Sequence, residues 1–208
     1  MITSTNSKNG LAALRPEVKW AEDFVGIFQL EDTVHCLNTI DYAQRWPEQW
    51  SDSLILASET ETDRSIRDSV QIDYNPNTYH PCHTPLLMFA QNCLDIYREK
   101  LPEVDEFPRY TVNENYNVIK YETGQAYHDI HSDYAPFNEQ MERRHLTFIM
   151  FLNSVADGGE LEFPRQKVKV APEEGRAVIF PSCWTHSHRS LPPSETRYIF
   201  QLWWSFVI

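Results

Sequence analysis

The stretch RYIFQLWWSFVI, residues 197–208, decides the fold of this chain. Because alternate residues of a strand point to the same side, Arg197, Gln201 and Trp203 are expected to line one cavity. The residues between them are expected to pack the other way, against a helix or a second sheet: Tyr198, Phe200, Leu202 and Trp204. The stretch therefore predicts a strand with a cavity on one side and a packed layer on the other.

Similar short runs, apolar or alternating, precede this strand and are separated by turn residues. Three of the six glycines fall between these runs, and a fourth, Gly159, opens one of them. This spacing is typical of a β-sandwich or a barrel. The runs are YNVIKYE (116–122), HLTFIMFLN (145–153), GELEFP (159–164), KVKVAP (167–172) and RAVIFP (176–181).

The first half of the chain has a different pattern. Residues 22–30 predict a short strand. Asp32 or Thr33 is expected to cap a helix that runs to about Arg45. Residues 84–100 predict a second helix, which begins with the favourable pair Thr-Pro. The polar segment 58–83 contains turn residues and predicts a long loop, or a short strand with a flexible flank.

These patterns predict one domain over residues 1–208, of an α+β class that is mainly β. Residues 1–104 are expected to form a helical and loop buttress, and residues 105–208 the β core. A length of 208 residues suits a single domain with a substantial core. The polar residues 1–18 are expected to be loosely held.

The composition excludes some classes of function. A formal net charge of −12 disfavours nonspecific nucleic-acid binding and attraction to anionic membranes, because both need a basic face. The four cysteines form no Cys-x-x-Cys pair, so no zinc knuckle is expected. No leader-like segment and no apolar run of about 18 residues is visible. We therefore expect a cytoplasmic protein.

The segment YHDIHSD, residues 127–133, combines metal-ligating side chains. His131 and Asp133 share a face of an extended chain and offer one nitrogen and one carboxylate, two members of the two-His-one-carboxylate triad that binds iron(II). Asp129 has the same parity and is the alternative carboxylate. A third ligand must come from elsewhere, and His186 and His188 both qualify by spacing.

Arg197 lies nine positions after His188. A guanidinium binds a carboxylate through two parallel hydrogen bonds. An acid cosubstrate that chelates a metal at one end would need such an anchor at its other end. This combination argues against a zinc hydrolase, in which the arginine would have no role.

Residues from about 105 to 206 resemble the prolyl 4-hydroxylase-like branch of the iron(II)/2-oxoglutarate dioxygenases. Five motifs carry the resemblance, in the family's order. They are YETGQAYHDIHSD (121–133), RRHLTFIMFLN (143–153), GGELEFP (158–164), VAPEEGRAVIFPS (170–182) and HRSLPPSETRYIFQLWW (188–204).

The resemblance implies a double-stranded β-helix, or jelly roll, buttressed by the N-terminal helices. It also selects His188 over His186, because the family's histidine is followed four residues later by a proline and then by a basic residue. His131, Asp133 and His188 would then bind iron(II), and Arg197 would hold the distal carboxylate of 2-oxoglutarate.

Four further residues match family positions. Thr147 would be the hydroxyl partner of the same distal carboxylate, and Tyr121 would contact the cosubstrate. Tyr127 and Trp203 would contact the substrate or lie near the iron. Tyr127 precedes the ligands by one residue more than is common in the family.

The implied activity is hydroxylation of an unactivated C–H bond with O2, most simply on a prolyl residue of a peptide or protein, with ascorbate as a possible reductant. Segment 58–83 would close over such a substrate as a lid. Alternative substrates are a free amino acid, another small metabolite or protein lysine. A different class also fits the motifs, namely a non-catalytic jelly-roll binding module that keeps the cavity.

Overall fold

The computed structural model describes residues 16–55, 62–136 and 138–207, so most of the predicted loose segment 1–18 lies outside it. The helices are α1 (Val34–Gln44) and α2 (Thr84–Lys100). The strands are β1 (Glu17–Trp20), β2 (Gly26–Gln29), β3 (Ser51–Asp52), β4 (Val70–Tyr74), β5 (Tyr110–Thr111), β6 (Tyr116–Tyr121), β7 (Arg144–Phe151), β8 (Leu161–Phe163), β9 (Val168–Val170), β10 (Arg176–Pro181), β11 (Arg189–Ser190) and β12 (Arg197–Phe206).

The strands form two antiparallel sheets. The major sheet has the order β1-β2-β10-β7-β12-β6-β4-β3, with β5 paired to β12, and the minor sheet has the order β11-β8-β9. Sequence neighbours are often separated within the major sheet, as in a jelly roll. The expected jelly-roll core is confirmed, as is a strand in each of the six runs after residue 115.

The central strand β12 has the two faces that its sequence predicts. On one face, Phe200, Leu202 and Trp204 are buried in the core between the major sheet and the two helices. On the other face, Ile199 belongs to a second core between the sheets. Arg197, Gln201 and Trp203 share that second face and line a cavity. Helix packing on one side thus leaves the other side of the strand for the site.

The N-terminal half is more than the expected helical and loop buttress. Four strands before residue 105, β1 to β4, are hydrogen-bonded into the major sheet. Strand β4 lies inside the polar segment 58–83 and pairs along its whole length with β6. The predicted division at residue 104 is therefore not a boundary in the sheet. Among the described residues, no helix is both long and apolar enough to cross a bilayer.

Candidate active site

Backbone pairing brings two distant histidines side by side. The amide of His131 donates to the carbonyl of His188 at 2.9 Å, and the amide of His188 donates back to His131 at 2.8 Å. Asp133 follows two residues after His131, so its carboxylate faces both rings. The ligating atoms of these three residues all lie within 4.8 Å of one another. Three side chains from two segments therefore form one candidate metal site.

The two imidazoles present the same nitrogen to this centre. Nδ1 of His131 lies 3.0 Å from the carbonyl of Asp129, and Nδ1 of His188 lies 3.0 Å from the carbonyl of His186. A carbonyl only accepts, so each Nδ1 carries the proton and each Nε2 keeps its lone pair. Those Nε2 atoms lie 3.8 Å and 3.9 Å from Oδ1 of Asp133. Burial, helped by His188, lowers the pKa of His131, which keeps its imidazole neutral.

The second carboxylate oxygen of Asp133, Oδ2, is held by two hydrogen bonds. Oδ2 accepts from the Thr147 hydroxyl at 2.7 Å and from the indole nitrogen of Trp203 at 3.0 Å. Burial would raise the pKa of Asp133, but the histidines, Arg144 and the Thr147 hydrogen bond outweigh it and hold this pKa below its ordinary range. Asp133 therefore presents an ionised oxygen, Oδ1, to the two imidazoles.

Replacing Thr147 by valine, which keeps the shape and removes the hydroxyl, should weaken iron(II) binding about tenfold, because partners of metal ligands typically contribute 10- to 100-fold. Anaerobic metal titration measures the change. Thr111→Val, the same substitution at an exposed position of β5, is the control. Unchanged metal affinity in the Thr147 variant would contradict this role.

The structure corrects the predicted role of Thr147. Its hydroxyl bonds Asp133 and lies 2.9 Å from the Ser182 hydroxyl. Thr147 pairs with Trp203, six residues along β12 from Arg197, or about 20 Å at 3.3 Å per residue. It therefore orients a metal ligand and is too distant to share a carboxylate with Arg197.

Arg197 is the largest fully buried side chain, with 1% of its surface exposed. Its Nη1 donates to the carbonyl of Gly159, and its guanidinium carbon lies 4.2 Å from the ring centroid of Tyr121. Its Nε and Nη2 are buried without a hydrogen-bond partner in the described structure. Burial lowers the pKa of Arg197. Two unpartnered donors on one guanidinium fit a carboxylate, as the predicted cosubstrate requires.

The glycine turn that supplies the Gly159 carbonyl allows no side chain at Gly158. Gly158 has a φ of +72°, and a Cβ there would lie 2.2 Å from the carbonyl oxygen of Pro192. Gly158→Ala should therefore lower the free energy of unfolding by at least about 2 kcal/mol and weaken 2-oxoglutarate binding. Gly124→Ala is the matched control, because Gly124 has a φ of +80° and nothing within 4 Å of the added carbon. Thermal unfolding measures both variants, and an equal loss in both would contradict the close contact.

The two predicted tyrosines flank the site from opposite directions. Tyr127 stacks on the ring of the ligand His131, with centroids 3.5 Å apart and planes 13° apart. Tyr121 lies beside Arg197 at the other end. A cavity of about 270 Å³ connects these positions. The structure thus brings the candidate residues to one cavity, with the histidine cluster and Arg197 at separate places in it.

The alternative ligands lie elsewhere. The side chain of Asp129 is exposed and does not belong to the three-residue cluster. His186 is buried, but its Nε2 faces the carbonyl of Asp23 and its Nδ1 contacts the Thr185 hydroxyl. His186 therefore fastens a turn against the N-terminal segment.

Sequence reasoning missed a buried ion pair behind the metal site. Arg144 and Glu114 pair at 2.5 Å, and the Arg144 guanidinium lies 3.6 Å from the ring centroid of Trp203. Arg144 also donates to the backbone carbonyl of Asp133 at 3.2 Å. A charged residue at the start of a strand is expected to be exposed. Only the tertiary contacts show that Arg144 supports Trp203 and Asp133.

The part of the chain that contains this site matches a known protein family. The sequence model described as the 2OG-Fe(II) oxygenase superfamily matches residues 116–205, which contain the three clustered residues and Arg197. Prolyl 4-hydroxylase 13 of Arabidopsis thaliana is 32% identical over an alignment of 100 residues, and this alignment covers 39% of this chain and 36% of that protein. The chain therefore spans about a third of the length of this plant relative.

Solved structures share the fold at low identity. The viral collagen prolyl hydroxylase of Paramecium Bursaria Chlorella virus-1 has a TM-score of 0.66 and 18% identity, covering 90% of this chain and 98% of that chain. A Trichoplax adhaerens prolyl hydroxylase, in complex with a peptide fragment of the hypoxia inducible factor oxygen degradation domain, has a TM-score of 0.69 and 19% identity, covering 88% of this chain and 84% of that chain. Residues 116–205 thus match the 2OG-Fe(II) oxygenase superfamily, and part of the chain is similar in sequence to plant prolyl 4-hydroxylases.

Proposed function

We propose that this chain is an iron(II)- and 2-oxoglutarate-dependent oxygenase that hydroxylates a prolyl residue of a peptide or protein. One observation carries the proposal. The cluster of His131, Asp133 and His188 opens into the same cavity as Arg197, whose two unpartnered donors complement a carboxylate. A metal site alone has many uses, whereas a buried guanidinium beside it suits an acid cosubstrate.

The residues have distinct tasks in this proposal. His131, Asp133 and His188 would hold iron(II), and Arg197 would bind the distal carboxylate of 2-oxoglutarate. The bound metal and cosubstrate supply the activation of O2 that oxidises an unactivated C–H bond. Tyr127 keeps the His131 ring in position by stacking, and Thr147 with Trp203 fixes Asp133. A substrate that fills the cavity would exclude water from the reacting carbon.

A peptide or protein substrate is supported by the prolyl 4-hydroxylase relatives and by the Trichoplax structure, whose bound ligand is a peptide fragment. Arg67, Gln71 and Asp73 of segment 58–83 line the cavity, and the last two belong to β4, so this part of the segment forms a wall of the cavity. Closure of the segment over the substrate as a lid stays a prediction. Hydroxylation of a free amino acid, another small metabolite or protein lysine would use the same iron site and differs only in what fills the cavity.

Anaerobic addition of iron(II) and 2-oxoglutarate should produce the weak visible charge-transfer band of the chelate. Admission of O2 should then release succinate, and proline-rich peptides should increase its rate. A non-catalytic binding module would bind ligands without releasing succinate. Absence of the band in well-folded protein would refute the proposal, and a band with only slow, peptide-independent succinate would redirect it to another substrate.

Two further features belong to the proposal. Ascorbate would serve as the reductant that restores iron(II) after an uncoupled turnover, and it should raise the number of turnovers per enzyme. A cytoplasmic location stays a prediction, and localisation of a fluorescent fusion would test it.

A further inference from the structure

The inner face of the major sheet forms rows of side chains across neighbouring strands. Arg197 pairs with Tyr121 at one end of β12, and Trp203 pairs with Thr147 near the other. Between these two rows, Gln201 of β12 pairs with Asn117 of β6. This middle row therefore lies between the cosubstrate anchor and the support of Asp133.

Gln201 is buried but makes no use of its amide. Its exposed fraction is 7%, it lines the cavity, and its side chain has no hydrogen bond to any described residue. The oxygen and nitrogen of this amide are open to the cavity, where water or a ligand can bond them. Neither the metal site nor the Arg197 anchor uses this residue. An amide that faces a ligand cavity without a protein partner is placed to bond a polar group of the ligand.

The neighbouring amide is oriented by a charge. Asn117, with 5% of its surface exposed, donates its Nδ2 to Oδ1 of Asp73 on β4. The same carboxylate oxygen accepts from Gln71 at 2.7 Å. Since a carboxylate only accepts, the Asn117 oxygen is directed away from Asp73. The middle row thus offers an unpartnered carboxamide from Gln201 beside a carbonyl oxygen from Asn117.

Most of the charged groups that line this part of the cavity are already engaged, and the exception is Nε of Arg67, a donor buried without a hydrogen-bond partner in the described structure. Glu114 forms an ion pair with Arg144. The Asp73 carboxylate accepts hydrogen bonds from two side-chain amides. The two terminal nitrogens of Arg67 donate to the Leu54 carbonyl and to the Gln71 side chain. In the proposed function, Arg197 binds the distal carboxylate of 2-oxoglutarate. A zwitterionic amino acid would have to break these contacts to gain charged partners. A neutral group with one donor and one acceptor matches what the described wall leaves open.

We propose that the Gln201 carboxamide, beside Asn117, binds a backbone amide of the substrate next to the residue that is hydroxylated. A primary carboxamide and a peptide bond each offer a donor and an acceptor, so they can pair through two hydrogen bonds. Gln201 would then select a peptide or protein over a free amino acid. This inference rests on the proposed function, because it assigns the substrate group that this oxygenase holds.

The test combines a protein change with a peptide change. The peptide that binds the wild-type protein most tightly is first chosen from a library of proline-containing peptides. Near the residue of this peptide that is hydroxylated, each peptide bond that carries an N–H is then replaced by an ester, one bond in each variant peptide. Binding is measured by calorimetry without added iron, and kcat/KM is measured with iron(II) and 2-oxoglutarate. Gln201→Leu removes the carboxamide at similar size, and Gln91→Leu on the exposed face of α2 is the matched control.

We expect one ester to weaken wild-type binding about tenfold, as expected for loss of a buried hydrogen bond. The same ester should cost the Gln201 variant less than about twofold, because its partner is already absent. The variant should keep the thermal stability, the charge-transfer band and the peptide-independent succinate rate of the wild type. The control should behave as the wild type.

Equal ester effects in the wild type and in Gln201→Leu would overturn the inference, as would loss of the charge-transfer band in this variant. If no peptide binds while the band and succinate formation are intact, the inference fails and the oxygenase proposal stands. If the wild type gives no band but the peptide binds with the predicted ester pattern, the inference holds and the oxygenase proposal fails.

Discussion

Replacing Asp133 by alanine should reduce iron-dependent succinate formation by about 1,000-fold or more, since metal catalysis of this kind contributes several kcal/mol and each 1.4 kcal/mol is tenfold. The change removes one of three clustered ligands. It also leaves the Thr147 hydroxyl and the Trp203 indole without their acceptor. Succinate release and anaerobic iron titration together measure the loss.

Asp129→Ala is the control for this prediction. The Asp129 side chain is exposed. Asp129 contributes to the site through its backbone carbonyl, which accepts a hydrogen bond from Nδ1 of His131. Alanine keeps that carbonyl, so most of the activity should remain. Equal losses in the two variants would show that the carboxylate ligand is misassigned. Circular dichroism of both variants separates lost metal from lost folding.

The second large effect concerns the cosubstrate anchor. Replacing Arg197 by methionine should raise the KM for 2-oxoglutarate by about 100-fold, because it removes a charge-assisted, two-point contact in a buried place. The stability of the protein alone should stay the same or rise, since the native arginine is a buried cation with two unpartnered nitrogens. This opposite effect on stability and on affinity distinguishes a ligand anchor from a structural ion pair.

Thermal unfolding with and without 2-oxoglutarate tests this directly. With a divalent metal present, 2-oxoglutarate at 100 times its wild-type Kd should stabilise the wild type by about 2.7 kcal/mol and the Arg197 variant by only about 0.4 kcal/mol. Arg176→Met removes a guanidinium that pairs with Glu173 near the surface and should keep the full ligand effect. Retained stabilisation in the Arg197 variant would place the carboxylate elsewhere.

Much of the fold and of the site could be predicted from local patterns. The alternation in residues 197–206 predicts both faces of β12, because a strand repeats every two residues whatever surrounds it. The parity of His131 and Asp133 and the distance to Arg197 predict which side chains can share a cavity. These features depend only on the spacing of residues along the chain, and that spacing can be read directly from the sequence.

Other features depend on segments that meet only in the folded chain. The structure places Thr147 opposite Trp203, so its hydroxyl reaches Asp133 instead of the cosubstrate, and this follows from the register of β7 against β12. The same register leaves Gln201 buried without a partner beside Asn117.

The sequence by itself determined the β-rich core, the candidate ligands and the arginine anchor, because periodicity and residue chemistry are local properties. The family resemblance selected His188 over His186, and the tertiary structure places His188 beside Asp133. Only the tertiary structure decided that a buried Arg144–Glu114 pair supports the site. The physical reason is that strand pairing sets which side chains meet across the sheet. A hydrogen bond between residues far apart in sequence exists only after that pairing has formed.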